Sequence, residues 1–244
     1  MAKKKKKRRR LKIKNILILL IIILILGITI FYCITMPIKN IYIKGNNILT
    51  DNEILEQSKI NNYPSFLLTS SFEIKHRLNK NKFIKNIKIR KKLGNIIEIN
   101  IEEYKPIAII EEENQVILSS GNIVDNIYNI NDTPILVNAI KEEIYSNFID
   151  KFSKIENDIL RQISQIEYSP TSVDEGRFML YMNDSNIVYI TLTKINKINK
   201  YNRIKDKMNN KTGVIYLDSG DYIELKDNTK KSWYKNAKKA FLYF

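Results

Sequence analysis

Ile16–Ile34 runs for 19 residues without a charge, as ILILLIIILILGITIFYCI. As a helix rising 1.5 Å per residue it spans roughly 28 Å, close to the ~30 Å hydrocarbon core of a bilayer. A helix on the surface of a soluble core would carry a polar face, and this stretch has none. Gly27 and Thr29 are tolerated in such a helix, and Tyr32 suits its outer boundary. Lys3–Arg10 are eight consecutive bases, followed by Lys12 and Lys14. The positive-inside rule then keeps residues 1–15 in the cytoplasm, spans the membrane with residues 16–34 and exports the rest. A cleaved signal peptide would have a shorter apolar region and a small-x-small cleavage site. Tyr32-Cys33-Ile34-Thr35-Met36 offers no such site, and Phe31 and Tyr32 are too large for a lipoprotein cleavage site before Cys33.

Charge divides the remainder. The formal net charge of +15 is concentrated at the two ends. Residues 38–105 hold 13 bases and 7 acids, whereas residues 106–225 hold 12 bases and 18 acids. This change of sign marks two exported domains, 38–105 and 106–225, followed by a basic aromatic tail, 226–244. A nucleic-acid-binding domain would carry its excess charge on a folded face, so the N-terminal bases read as a topology signal. One cysteine and one histidine, Cys33 and His76, exclude a disulfide framework, a thiolate zinc finger and a His-cluster metal site.

The first exported domain has a legible order. Ile41 and Ile43 alternate with polar neighbours in a half-buried strand, and Gly45-Asn46 turns the chain. Thr50-Asp51-Asn52-Glu53 and Ser70-Ser71-Phe72-Glu73 both have capping-box spacing and open two helices. Ile84, Ile87 and Ile89 lead to a turn at Leu93-Gly94-Asn95. Ile97, Ile99 and Ile101 then alternate with Glu98, Asn100 and Glu102. The order is β-α-α-β-β, with a hairpin at its end and a core of Ile41, Ile43, Ile54, Leu78, Ile87, Ile99 and Ile101.

That order just outside a membrane helix resembles a POTRA domain. Ile41-Tyr42-Ile43-Lys44-Gly45-Asn46 resembles the family's opening V-x-G-N strand. Phe83–Lys91 resembles its P-W-V-x-x-A-x-V-x-R strand. Ile97–Ala108 is similar to its L-x-I-x-V-x-E-R-x-P-x-A ending, with Tyr104 in place of the usual arginine and Leu93-Gly94 where a hairpin proline is usual. The whole chain resembles the bacterial cell-division family FtsQ/DivIB.

The second domain continues in the order that the family needs. Ile107–Ile110 and Val116–Leu118 flank Glu111-Glu112-Glu113, Ser119-Ser120-Gly121-Asn122 is a turn, and Thr133-Pro134-Ile135-Leu136 is similar to an x-P-x-L segment. Apolar residues at Ile140, Ile144, Phe148, Phe152, Ile155, Ile159, Ile163 and Ile166 predict helix. Phe178, Leu180 and Met182 pair with Ile187–Leu192 across Asn183–Asn186. Ile195, Ile198, Tyr201, Ile204 and Met208 predict another helix, stopped by Gly213. Val214–Leu217 and Asp221–Leu225 flank Asp218-Ser219-Gly220. The expected fold class is α+β: one transmembrane helix, a POTRA domain, and a mixed, mainly antiparallel sheet domain with helices.

Catalytic motifs are absent. The sequence contains no G-x-x-x-x-G-K-[ST], G-x-G-x-x-G, G-x-S-x-G or H-E-x-x-H. His76, between Lys75 and Arg77, reads as part of a solvated helix face, and Glu111–Glu113 as a solvated loop. No cofactor or metal is expected. The resemblance implies a non-enzymatic scaffold at the division septum, which binds FtsL-like and FtsB/DivIC-like single-pass proteins outside the membrane and couples them to septal wall synthesis. The alternative is a POTRA scaffold for protein transport or envelope assembly. The expected partner surface is Leu217, Asp218, Ser219, Gly220, Asp221, Tyr222, Ile223 and Leu225, a final strand that resembles the family's last strands and has no further strand to cover its edge. In the tail, Trp233, Ala237 and Phe241 have helical spacing, and the segment reads either as a frayed solvated end or as a short interfacial helix on lipid or a partner.

Overall fold

The computed structural model describes residues 13–209 and 211–226. The basic run Lys3–Arg10 and the tail residues Trp233, Ala237 and Phe241 lie outside the described residues. The chain divides into two compact units, Met1–Glu103 and Tyr104–Phe244.

The first unit opens with α1, Ile13–Thr35, a helix with no buried residue. Pro37 follows at once, and its missing N–H and fixed φ prevent continuation. Strand β1 (Asn40–Lys44), helices α2 (Asp51–Ser58) and α3 (Ser71–Leu78), and strands β2 (Ile84–Lys92) and β3 (Ile96–Glu103) come next. The sheet order is β1-β3-β2, with β1 parallel and β2 antiparallel to the central β3. Ile54, Leu78, Ile87, Ile99 and Ile101 are buried in its core, whereas Ile41 and Ile43 are half-buried.

Two sequence motifs of this unit acquire a physical reason. Gly45 sits at φ +86, and a Cβ there would lie 2.2 Å from the Ile101 carbonyl oxygen. Only glycine fits both the backbone angle and the space. At the end of β3, the Glu103 carboxylate accepts the backbone N–H groups of Asn47, Ile48 and Leu49 at 3.0, 2.8 and 2.9 Å. It therefore satisfies three donors of the turn that leads into α2. The two expected capping boxes separate here. Thr50 and Glu53 bond reciprocally, as the spacing predicts. Ser70 makes no side-chain cap bond, and Glu73 reaches forward instead to Arg77 at 3.1 Å.

The second unit is built on a nine-stranded mixed sheet. Its strands are β4 (Pro106–Ile110), β5 (Gln115–Leu118), β6 (Ile123–Asp125), β7 (Ile135–Leu136), β8 (Ile163–Tyr168), β9 (Arg177–Met182), β10 (Ile187–Thr191), β11 (Gly213–Tyr216) and β12 (Tyr222–Leu225). The order is β12-β11-β10-β9-β8-β7-β4-β5-β6. The pairs β10–β11, β7–β8 and β4–β7 are parallel and the rest antiparallel. Helices α4 (Glu142–Phe152) and α5 (Asn157–Leu160), a 3-10 helix (Leu192–Lys200) and α6 (Tyr201–Lys207) complete the unit. Phe148, Phe152 and Phe178 form an aromatic cluster at its centre, with centroids 4.3–5.5 Å apart.

Two periodicities mislead in this unit. The stripe that predicts one helix from Ile140 to Ile166 is two helices and a strand: Ile163 and Ile166 lie on β8. The register of β8 against β9 shifts between Ile163 and Gln165. The extra residue puts Ile163 and Ile166 on the same buried side at a helix-like spacing of three. The second stripe begins as a 3-10 helix, in which Leu192, Ile195 and Ile198 are buried. That spacing is the 3-10 period of three residues per turn. Gly213 opens β11 rather than merely stopping the helix.

Candidate partner-binding edge

The C-terminal end of the second unit is positioned by a buried polar network. The Gly213 N–H donates to Asn186 Oδ1 at 2.8 Å. Asn186 Nδ2 donates to the Tyr201 hydroxyl at 2.9 Å, and that hydroxyl donates to Asp184 Oδ1 at 2.7 Å. Lys205 closes the network on Asp184 at 3.0 Å. Burial opposes the charged form of Asp184, but the bonds from Tyr201, Lys205 and the Asn186 backbone outweigh it and hold the carboxyl below its ordinary range. The same contacts leave the Tyr201 hydroxyl far above the ordinary phenol value, through burial first and then through Asp184. One network thus ties the β9–β10 turn, α6 and the start of β11 together.

β12 is an edge strand, and no described strand pairs with its outer side. The Lys226 N–H donates to the Thr212 carbonyl at 2.8 Å. From there the antiparallel register runs Gly213↔Leu225, Val214↔Glu224, Ile215↔Ile223 and Tyr216↔Tyr222. Hydrogen-bonded and non-hydrogen-bonded pairs alternate in such a ladder. The inward-bonded residues are therefore Glu224 and Tyr222, and the backbone groups of Ile223 and Leu225 point away from β11.

The side chains of β12 are exposed on both faces, Tyr222 at 45%, Ile223 at 36% and Leu225 at 49%. Alternation along a final strand predicts one packed face, and the structure shows none. The buried positions of the 3-10 helix and α6 lie with Ile215 and Leu217 in the main core cluster, and that cluster does not extend to β12. Leu217 is accordingly a core residue, 5% exposed, rather than part of the surface.

One face carries an aromatic ladder that ends at the edge. Tyr189 of β10 stacks on Tyr216 of β11 with centroids 5.2 Å apart, and Tyr216 stacks on Tyr222 of β12 at 4.5 Å. The Arg177 guanidinium lies 4.1 Å over the Tyr189 ring and pairs with Asp218 at 2.7 Å. Lys194 Nζ donates to the Asp218 carbonyl at 2.6 Å, and Lys197 pairs with Asp221 at 2.5 Å. Asp218 and Asp221 are thus engaged in holding the turn, while Ser219 and Gly220 are turn residues between them. Asp221 takes φ +53. Tyr222, Ile223 and Leu225 are what this segment leaves open. The sequence reading missed Arg177, Tyr189 and Tyr216. Their signal was present, since Tyr189 and Tyr216 sit on the unburied beat of their alternating strands.

His76 is exposed on α3, where it stacks on Phe72, and Glu111–Glu113 form an exposed turn. Among the described residues no group of three or more His, Cys, Asp or Glu could hold a metal ion. Among the described residues one helix, Ile13–Thr35, is long and apolar enough to cross a membrane.

An α1 anchor, a β-α-α-β-β unit and a second mixed sheet define a class. Residues 36–104 match the family model of the POTRA domain, FtsQ-type. The chain is 32% identical to the cell division protein DivIB of Bacillus subtilis (strain 168) over 77% of this chain and 73% of that protein. It is 30% identical to the cell division protein DivIB of Bacillus cytotoxicus over 80% of this chain and 78% of that one. A solved structure, the major extracytoplasmic domain of the trans isomer of DivIB from Geobacillus stearothermophilus, aligns with TM-score 0.37 and 23% identity over 44% of this chain and 96% of its own. The chain belongs to the DivIB family of cell-division proteins.

Proposed function

We propose that this chain is a non-enzymatic, single-pass scaffold of the division machinery, with residues 1–15 cytoplasmic and the two exported units, 38–105 and 106–225, outside. It gathers FtsL-like and FtsB/DivIC-like single-pass proteins at the septum and couples them to septal wall synthesis. The observation that carries the binding reading is β12, an edge strand whose Ile223 and Leu225 backbone groups face outward beside the end of a tyrosine ladder. A partner segment can add a strand there, with backbone bonds supplying affinity and Tyr222 an aromatic anchor. Asp218, Ser219, Gly220 and Asp221 shape the turn that presents this strand, and Leu217 fixes it to the core.

The test is co-purification of the full chain from membranes with tagged FtsL-like and FtsB/DivIC-like proteins. Tyr222→Ala and Ile223→Pro should each reduce recovery at least about tenfold, equivalent to roughly 1.4 kcal/mol, while the chain stays folded. Parent-level recovery with both variants would place the interface elsewhere.

A further inference from the structure

We infer that the membrane-proximal face of the first unit docks on an anionic phospholipid surface. The inference rests on the reading of α1 as a membrane span. Two loops are strapped to the point where that helix ends. Ser65 Oγ donates to the Ile34 carbonyl, the Phe66 N–H donates to Met36 O at 2.9 Å, and the Ile38 N–H donates to Pro64 O at 3.0 Å. On the other side, Asn95 Nδ2 donates to Pro37 O at 3.1 Å and the Lys39 N–H donates to Asn95 O at 2.9 Å. The membrane helix ends at Thr35, and the first charge after it is Lys39. Both loops therefore sit at the depth of the lipid headgroups.

Those loops, and the first turn of α3 that follows the first of them, carry the side chains that a headgroup layer would take up. Leu67 is 55% exposed, Leu68 68%, Phe72 78% and Leu93, at the β2–β3 turn, 99%. In bulk water these are large apolar groups that the described residues leave mostly exposed. At the headgroup–acyl boundary each would be buried, which is the driving force for interfacial docking. Cations accompany them. Lys91 Nζ donates to the Phe66 carbonyl at 2.6 Å and lies 4.8 Å over the Phe66 ring. Arg90 and Lys88 follow back along β2 at about 3.3 Å per residue, and with Lys75 they line a shallow cleft beside Phe72. Among the described residues Lys75, Lys88 and Arg90 form no ion pair with a carboxylate, whereas Lys85 and Lys92 on the same strand do. Cations without a carboxylate partner, set back along β2 by about 10 Å at Arg90 and about 16 Å at Lys88 from Leu93, match anionic lipid, each cation near the surface adding attraction. Continuity with the membrane helix is what favours lipid over a protein occupant.

The experiment uses the full chain in nanodiscs of phosphatidylcholine, with or without about one third phosphatidylglycerol. Cys33 is replaced by Ser, and an environment-sensitive fluorophore is placed by Leu68→Cys, Leu93→Cys, Ile25→Cys or Asn47→Cys. Ile25 lies mid-helix, and Asn47 lies beyond the far end of β1, exposed. Doxyl-labelled lipid should quench the labels at 68 and 93 at least about twofold more than the label at 47, and more strongly with phosphatidylglycerol present. Lys88→Glu with Arg90→Glu should abolish the phosphatidylglycerol increment. Quenching at 68 and 93 no greater than at 47, with Ile25 strongly quenched, would overturn docking while leaving the membrane helix intact. An unquenched Ile25 would instead remove the membrane reading and docking with it. Equal quenching in both lipid mixtures would overturn the anionic specificity.

Discussion

Asn186 Oδ1 accepts the backbone N–H of Gly213 at 2.8 Å, 27 residues away, where both groups are buried. This bond fixes where β11 begins beside β10, and so where the exposed strand β12 is presented. Replacing Asn186 by Ala would leave the Gly213 donor and the Tyr201 hydroxyl each short of a partner. The expected cost is about 1–3 kcal/mol. It would be read by denaturant unfolding of residues 35–226, with faster amide exchange at Gly213–Tyr216. Unchanged exchange there would show that β11 is held by the rest of the sheet.

Gly213 also faces β12 closely. A Cβ there would lie 2.4 Å from the Glu224 carbonyl oxygen. Backbone cannot yield as a flexible side-chain end can, so Gly213→Ala should push β12 off β11. Amide exchange at Tyr222 and Glu224, whose groups bond inward, should accelerate at least about tenfold, with the POTRA unit unaffected. Parent-like exchange would contradict the close approach.

Glu103 is expected to be a stability residue of the first unit. Glu103→Ala strands the three N–H groups of Asn47, Ile48 and Leu49. These turn donors are partly reached by water, so the loss should fall near about 1–3 kcal/mol rather than three times that. Glu103→Gln should recover part of it by keeping one acceptor oxygen. A thermal melt of the unit distinguishes the two variants, and equal melting of Ala, Gln and parent would refute the role.

Ile99 is fully buried on the central strand β3. Ile99→Ala should cost about 2–5 kcal/mol, a large share of a small unit's stability. An unchanged melting temperature would mean that the register of β3 is wrong.

Asp218 sets a pH dependence. Burial works against its charge, but hydrogen bonds from Arg177 and Ser219 outweigh burial and lower its pKa. A carboxyl depressed on folding contributes stability above its unfolded value of about 3.9, and that contribution is lost as pH falls through the folded value. Melting of the second unit should therefore drop more steeply below about pH 4 in the parent than in Asp218→Asn. Parallel pH profiles would show that the Arg177 pair contributes nothing.

What the sequence determined was local or strictly periodic. The uncharged run Ile16–Ile34 declares itself by length and charge alone. The alternation of Ile97, Ile99 and Ile101 and the Thr50–Glu53 box specify β3 and α2, because a period of two and a cap at fixed spacing need no distant partner. Tertiary structure decided the rest. Ile163 and Ile166 share a buried side only because β8 is bulged against β9, a property of the pairing and not of either segment. Leu217 and Tyr222 belong to one short hairpin, yet one is core and the other edge, because the main core cluster stops short of β12. The tyrosine ladder joins Tyr189, Tyr216 and Tyr222 across three strands, and only the register of the sheet brings them face to face. The same holds for Leu68 and Leu93, 25 positions apart in the chain. Hydrogen bonds to Ile34, Met36 and Pro37 set both loops at the end of one helix, a juxtaposition that no spacing in the sequence encodes.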